Sequence, residues 1–204
     1  MYITCITFSK KKNCWKVYST VTYLAEDDFL KNDIRVNPNL DSLGALGDIG
    51  WYCIHAILWV HDYEFPNTVT AFGNPEYHDS GVILSCGACL NWKTDGKVAT
   101  FCCSFLSNLC MDIIALGTKG NFLDNSKWAE RAVGCGPEPG VFKIATDMPR
   151  ERLMIQEFGR LVAGIRSGEP KENKWPIISR KTQLIIDAVV ASIKNGFVPV
   201  KVVY

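Results

Sequence analysis

The sequence has almost no net charge and no long hydrophobic run. It contains 22 Lys and Arg against 21 Asp and Glu, so its formal charge of +1 provides no basic field for nucleic acid. The longest apolar stretch, Trp51–Val60, is interrupted by His55 and is far shorter than the roughly 20 residues that span a bilayer. We therefore expect neither a nucleic-acid partner nor a membrane-spanning segment.

An export signal is also missing from the sequence. Lys10, Lys11 and Lys12 follow the apolar N-terminal residues, whereas a secretory signal places its basic residues first. The nine cysteines are odd in number and lie in a chain of 204 residues, which argues against a disulfide framework. We expect a cytoplasmic protein in which most cysteines are buried thiols.

Cys86 and Cys89 form a CxxC pair, the spacing of many zinc and redox sites. They lie inside the stretch 82–92, which reads as a strand, and residues three apart on a strand face opposite sides of the sheet. No second CxxC or nearby His completes a zinc set. We interpret the pair as core cysteines. Stoichiometric zinc in the purified protein would support the alternative, a redox or metal protein.

Hydrophobic periodicity predicts an α+β fold with a mostly antiparallel open sheet and helices packed on one face. A nearly all-apolar helix, and so a buried one, follows an irregular stretch over 26–45, and Asp48 lies in its first turn. Asp95 and Gly96 predict a hairpin between two of the strands. Strands are predicted over 15–24, 68–72, 81–92, 97–106, 109–116 and 197–203, a loop over 126–140, and amphipathic helices over 149–167 and from a Ser179 N-cap to Gly196.

The common motifs for phosphate binding and hydrolysis are not found. The run from Gly134 to Gly140 approaches a dinucleotide fingerprint, but Pro139 takes the place of its last glycine and no helical pattern follows. Three polar side chains do share one helical face, because Asp48, Tyr52 and His55 are spaced by four and three residues. Either they line a cleft, or Asp48 caps the helix and the two rings pack in the core.

The segment around these residues, GALGDIGWYCI over 44–54, resembles the signature of the Gfo/Idh/MocA oxidoreductases, in which a Gly-rich turn leads into DxGx followed by His or Tyr. The resemblance is to plant-type members and covers about 15–203, in order with the second half of the family's chain. Further matching segments are 28–35, 81–82, 90–92, 117–120, 175–179, 182–183 and 187–188.

The resemblance implies hydride transfer between a carbinol carbon of a sugar, cyclitol or diol and the nicotinamide of NAD or NADP. It assigns Tyr52 as the acid/base residue and Asp48 and Arg35 as substrate-binding residues, with His55 structural. A phenol ordinarily ionises near pH 10, so this role needs a nearby cation. In the family that cation is the Lys of an EKP motif in the preceding dinucleotide-binding domain, and this sequence contains no EKP.

The predicted organisation is an atypical segment over 1–14, which we interpret as a spurious or alternatively spliced start, followed by a substrate-binding and dimerisation domain over 15–204. Two functions stay open. In the first, the chain is the substrate domain of an oxidoreductase whose Rossmann domain lies elsewhere, and it is inactive alone. In the second, it is a non-catalytic interaction module derived from that family. In both, a homodimer through the exposed sheet face is expected, because a half-apolar sheet face tends to be covered.

Overall fold

A computed structural model describes residues 14–93, 96–117, 120–124, 132–135, 140–142 and 149–203. The fold over these residues is α+β, as predicted. Its elements in chain order are β1 (Cys14–Leu24), α1 (Asp27–Asn32), a 3₁₀ turn (Ile34–Val36), a π-helical turn (Leu46–Gly50), α2 (Trp51–Val60), β2 (Thr68–Ala71), β3 (Glu76–Tyr77), β4 (Ile83–Asn91), β5 (Val98–Ser104), β6 (Leu106–Gly117), β7 (Gly120–Asp124), β8 (Ala132–Cys135), β9 (Gly140–Phe142), α3 (Arg150–Arg166), α4 (Lys174–Lys194) and β10 (Val200–Lys201).

The described strands form one open sheet in the order β10-β2-β4-β5-β1-β6-β7-β8-β9, with β3 paired to β4. Their pairings are antiparallel except for β1 and β5, which run parallel in the middle of the sheet. The predicted antiparallel pairing of the two strands around Gly96 is confirmed by β4 and β5, although residues 94 and 95 of the turn lie outside the described residues.

The hydrophobic core lies between one face of this sheet and the helices α2 and α4. The predicted apolar character of α2 is confirmed, and the predicted stripe of α4 is buried at its centre. Fully buried side chains include Ile54, Ile57 and Leu58 from α2, Ile185 and Val189 from α4, and Val17, Val69, Leu90 and Phe101 from the strands. Burying side chains of this size stabilises a fold by about 1.5–3 kcal/mol each, so this layer dominates the stability.

Four features differ from the sequence expectation. The irregular stretch over 26–45 contains α1 and the 3₁₀ turn, and the loop over 126–140 contains β8. Helix α4 begins at Lys174, five residues before the expected cap, because Pro176 falls in its first turn, where a missing N–H costs no hydrogen bond. The predicted strand over 197–203 is present only as β10. The reason is that Gly196 and Phe197 both adopt positive φ and form a turn before the strand begins.

Helix α3 has the predicted length but not a buried apolar face. Met154 and Phe158, which belong to its predicted stripe, are among the most exposed large hydrophobic side chains of the described residues. In the part of the chain that the structure describes, helices cover only one face of the sheet. On the other face, Tyr18 and Phe72 are 40% exposed and Cys102 is exposed.

The six cysteines whose side chains the structure describes are free thiols, and all but Cys102 are buried or half-buried. Cys86 and Cys103 oppose each other across β4 and β5, with their sulfurs 3.6 Å apart. Cys86 is buried on the helix side, whereas Cys89 belongs to the strand's other face and is half-buried. The predicted placement of the CxxC pair on opposite faces is therefore confirmed, and the pair is not arranged to chelate one ion.

His61, which follows α2, is a buried ionisable side chain and predicts a pH dependence of folding. It is 5% exposed, its ring lies 4.2 Å from that of Trp92, and its Nε2 has no hydrogen-bond partner among the described residues. Burial, together with the charge of Lys97 and against the opposing effect of Glu64, lowers the pKa of His61 to about 4. The folded state therefore excludes a proton that the unfolded chain binds below about pH 6.5.

We expect the stability contributed by this neutral ring to be complete above about pH 6.5 and to be lost as the pH falls toward 4, by about 3 kcal/mol in total. Replacing the ring by a non-titrating one, His61→Phe, should remove this part of the pH dependence. Urea unfolding at pH 7.5 and pH 4.5 measures it. An equal loss of stability in the wild type and the variant would contradict the prediction.

Candidate functional site

The candidate site is built around the π-helical turn that opens the buried helix. Leu46 and Ile49 of this turn are buried in the core, which leaves Asp48 at the surface between them. The turn continues directly into α2, so Asp48 and Tyr52 lie one turn apart on one continuous helix. A π turn holds more residues than an α turn and frequently marks functional sites. The sequence predicted the helix here but not its wider first turn.

A close approach of two backbones fixes where this helix begins. Gly44 has φ +53°, and a Cβ at this position would overlap the carbonyl oxygen of Ile83 and the side chain of Val82. The Asp41 carboxylate accepts hydrogen bonds from the backbone N–H groups of Leu43 and Gly44, at 3.1 and 3.3 Å. The Gly44 carbonyl then accepts the first helical bond, from Asp48 N at 2.9 Å. The glycine therefore sets the helix directly against the start of β4.

The structure brings together two of the predicted site residues, Arg35 and Asp48. Arg35 Nε lies 3.0 Å from Asp48 Oδ2, and Arg35 Nη1 lies 3.2 Å from Asp33 Oδ1. Asp33 also caps the 3₁₀ turn by accepting a hydrogen bond from Arg35 N at 2.9 Å. The hydrogen bond to Asp48 raises the pKa of Arg35, so this guanidinium stays charged. Asp33 was not predicted, although an Asp two residues before an Arg could have suggested a cap.

Tyr52 lies in the first turn of α2 with 46% of its surface exposed. His55, one turn further, is half-buried, and its ring centroid lies 5.9 Å from that of Tyr63 in an edge-to-face arrangement. Burial lowers the pKa of His55, which favours the neutral ring. Of the three polar residues on this face, Asp48 and Tyr52 thus reach the surface, whereas His55 packs against a neighbouring ring.

A second phenol borders the site that the sequence did not indicate. Tyr23 of β1 packs its ring against Phe29 and Phe105, with ring centroids 5.7 and 4.9 Å away. Burial raises the pKa of Tyr23 to about 12, and the negative charge of Asp48 adds to the shift while Arg35 opposes it. Tyr23 therefore remains a neutral hydroxyl beside the ion pair. It is far from Asp48 in sequence, so only the fold reveals this proximity.

This arrangement can bind a neutral ligand that carries several hydroxyl groups. The Asp48 carboxylate accepts hydrogen bonds from hydroxyls, and the guanidinium of Arg35 offers donors to ligand oxygens. Arg35 offsets only one of its two carboxylate partners, so the cluster has a net negative charge and favours hydroxyl groups over an anionic ligand. The exposed phenol of Tyr52 can give or take a proton.

Comparison with known protein families identifies this architecture. The family model of the GFO/IDH/MocA C-terminal domain matches residues 15–123, which is more than half of the chain. The chain belongs to the Gfo/Idh/MocA family. The predicted resemblance is therefore confirmed, and residues 44–54, with the Asp48 turn and Tyr52, lie inside the matched region.

Solved structures of oxidoreductases share this fold over almost the whole length of this chain. Aldose-aldose oxidoreductase from Caulobacter crescentus, complexed with glycerol, is 18% identical with a TM-score of 0.79, covering 97% of this chain and 58% of that one. An NAD binding oxidoreductase from Klebsiella pneumoniae is 16% identical with a TM-score of 0.74, and the match covers 98% of this chain and 61% of that one. Levoglucosan dehydrogenase in complex with NADH and levoglucosan is 16% identical with a TM-score of 0.72, and the match covers 97% of this chain and 63% of that one. This chain thus spans about three fifths of the length of these structures.

Within the described residues, no group of three His, Cys, Asp or Glu side chains could hold a metal ion. The helices of the same part of the chain are too short or too polar to cross a bilayer. The near-dinucleotide run from Gly134 to Gly140 is described only in part, at β8 and at the start of β9.

The close approach at Gly44 yields a test of how the site is held. Gly44→Ala combines a positive φ, which costs a side chain about 1–2 kcal/mol, with the overlap on Ile83 and Val82, so we expect a loss of 3 kcal/mol or more, on the order of the two effects together. Gly81→Ala is the matched control, because Gly81 has φ +87° with open space around it and should lose only the backbone cost of about 1–2 kcal/mol. Urea denaturation measures both variants, and equal losses would show that the contact with β4 does not constrain the turn.

Proposed function

We propose that this chain is the substrate domain of an NAD(P)-dependent oxidoreductase that transfers hydride to or from a hydroxyl-bearing carbon of a sugar, cyclitol or diol. The observation that supports this most directly is the Arg35–Asp48 ion pair beside the exposed Tyr52 phenol at the head of a buried helix. These residues lie in the part of the chain that matches the family.

Each side chain has a separate role in the proposed reaction. Asp48 and Arg35 hold hydroxyl groups of the substrate, and Asp33 keeps the guanidinium in place through its two hydrogen bonds. Tyr52 takes the hydroxyl proton when the alcohol is oxidised and returns it when the carbonyl is reduced. The nicotinamide supplies the hydride acceptor or donor when it is bound. Fixing the reacting hydroxyl against Tyr52 lowers the entropy cost of the proton transfer.

The solved structures support the substrate class and the cofactor. One was solved with glycerol, and another with NADH and levoglucosan. Neutral polyhydroxyl ligands of this kind fit a site where a carboxylate and a guanidinium can accept and donate hydrogen bonds to hydroxyl groups. We place NAD or NADP on a dinucleotide-binding domain outside these 204 residues, because the relatives are longer by about two fifths of their length.

A reducing compartment, and therefore the cytoplasm, is the proposed location. The cysteines whose side chains the structure describes are free thiols, including Cys86 and Cys103, whose sulfurs lie 3.6 Å apart and share a hydrogen bond but no disulfide. Thiols this close persist most readily where glutathione keeps them reduced.

The uncovered face of the sheet supports a second proposal, a homodimer through that face. Tyr18 of the central strand β1 and Phe72 beside β4 expose apolar surface there, and no helix of the described residues covers it. If no polyol is turned over by any assembled form of the protein, this dimerisation would be the remaining function, that of a non-catalytic interaction module.

If the protein dimerises through the sheet face, a charged side chain introduced in the middle of that face should separate the protomers. We expect Tyr18→Asp to shift the sedimentation coefficient from that of a dimer to that of a monomer, because the carboxylate would be buried without a partner. Leu40→Asp, at another exposed apolar side chain, is the matched control and should leave the dimer intact. A dimer that persists in Tyr18→Asp would exclude this face.

The acid/base role is tested in a fusion of this chain to the dinucleotide-binding domain of a family member. Tyr52→Phe removes only the hydroxyl, so we expect kcat to fall by about 100-fold or more with little change in KM. Asp48→Asn should chiefly raise KM for the polyol, since it weakens binding of the substrate hydroxyls. Tyr18→Phe removes a similarly exposed phenol on the far face and serves as the control. Unchanged turnover in Tyr52→Phe would disprove the assignment.

A further inference from the structure

The ion pair between Arg35 and Asp48 joins two segments of the chain, and its own attraction does little to hold them together. The Arg35 side chain is 36% exposed and that of Asp48 is 22% exposed. Pairs at such partly solvated positions contribute little, because water screens the charges and a long arginine side chain loses conformational freedom in the pair. The geometry of the pair therefore depends on the contacts that hold the two backbones.

On the Asp48 side, the backbone is held by the close approach of Gly44 to Val82. Val82 ends a tight turn between β3 and β4, over residues 78–82, which we name the β3–β4 turn. Two backbone hydrogen bonds close it, from His78 N to Val82 O and from Gly81 N to His78 O, each at 2.8 Å. The β3–β4 turn is thus a rigid support for the start of the helix that carries Asp48.

The same turn also reaches the Arg35 side of the pair. The hydroxyl of Ser80 donates a hydrogen bond to the carbonyl oxygen of Val36, 44 residues away in the chain, at 2.7 Å. Val36 ends the 3₁₀ turn that carries Arg35, and its side chain is buried. Asp33 caps this 3₁₀ turn from within, which fixes its shape. The bond from Ser80 ties it to the sheet, so one turn supports both partners of the ion pair.

His78 keeps Ser80 in place for this contact. His78 Nδ1 lies 2.8 Å from Ser80 Oγ and 3.2 Å from Ser80 N. When Nδ1 carries the hydrogen it donates to the hydroxyl oxygen, and when it does not it accepts from the backbone N–H of Ser80. Both tautomers therefore anchor Ser80, and the hydroxyl hydrogen stays directed at Val36.

We propose that Ser80 is a positioning residue of the candidate site, whose bond to the Val36 carbonyl holds the backbone of Arg35 where the guanidinium meets Asp48. Ser80 acts through the 3₁₀ turn and not on the substrate. Without this bond the 3₁₀ turn moves relative to the helix, the ion pair opens more often, and a polyol meets two less ordered side chains. The effect on the polyol rests on the proposed function, whereas the effect on the ion pair does not.

The first test measures the ion pair itself in this chain. In ¹⁵N NMR spectra, the rate at which the Nε–H of Arg35 exchanges with water reports how often the pair opens. We expect Ser80→Ala to accelerate this exchange by about fivefold, the effect of one lost hydrogen bond, toward the rate in Asp48→Asn. Ser80→Thr keeps the hydroxyl and should restore the wild-type rate.

Ser167→Ala is the matched control. The hydroxyl of Ser167 donates to the carbonyl oxygen of Gly164 at 2.9 Å, which is the same kind of bond at the end of α3, outside the candidate site. Its loss should leave the exchange of the Arg35 Nε–H unchanged. Urea unfolding of Ser80→Ala and Ser167→Ala shows whether the two variants lose similar, small amounts of stability.

The second test uses the fusion to a dinucleotide-binding domain. We expect Ser80→Ala to raise KM for the polyol by about fivefold with kcat nearly unchanged, because Arg35 acts in binding while Tyr52 is carried by α2. A loss of stability alone would lower the amount of active enzyme, and therefore kcat, without changing KM. The division between KM and kcat thus separates positioning from a general structural role.

A wild-type exchange rate in Ser80→Ala would overturn the proposal, as would an equal acceleration in Ser167→Ala. An unchanged KM in an active Ser80→Ala fusion would show that the bond does not serve substrate binding. If the wild-type fusion turns over no polyol while the exchange in Ser80→Ala is accelerated, the proposed function fails and the positioning of Arg35 by Ser80 stands.

Discussion

The contact between the backbone of Gly44 and the start of β4 determines where the buried helix begins, and the candidate site depends on it. From this point the chain enters a π turn whose apolar side chains are anchored in the core. A second close approach follows at Gly50, where a Cβ would lie 3.2 Å from Cys103 Sγ. These two contacts place the turn, and with it Asp48, directly against the sheet. The geometry of the ion pair is therefore a consequence of backbone packing more than of the attraction between two partly exposed charges.

The fold buries one face of its sheet and leaves the other uncovered, and this asymmetry organises its surfaces. Helices α2 and α4 lie on the inner face, so the polar head of α2 emerges at the edge of the core and carries the candidate site. The outer face, around Tyr18 of β1, and the apolar side of α3 remain available to partners. Thus one layer of packing separates the candidate site from the outer sheet face, the surface that we propose for dimerisation.

The sequence revealed those features that depend on local pattern. The strands β1, β4 and β5, the apolar helix α2 and the buried centre of α4 follow from periodicity, and the motif around Asp48 and Tyr52 led to the family. Features that depend on contacts between distant segments were not predictable. The ring of Tyr23 reaches the site only because β1 and the π turn are neighbours in space, and the parallel pairing of β1 with β5 has no signal in either strand. The amphipathic pattern of α3 predicted a helix correctly but could not show that its apolar side faces outward.

The account holds that these residues bind and orient a polyol while the nicotinamide is bound by another domain. A fluorescence titration of this chain with NADH and NADPH tests that division most directly, with an NMR spectrum of the same sample to show that the protein is folded. The account predicts no binding of either nucleotide up to millimolar concentration, because neither the ion pair at Asp48 nor its surroundings offers a phosphate site. Saturable binding at micromolar concentration would contradict it.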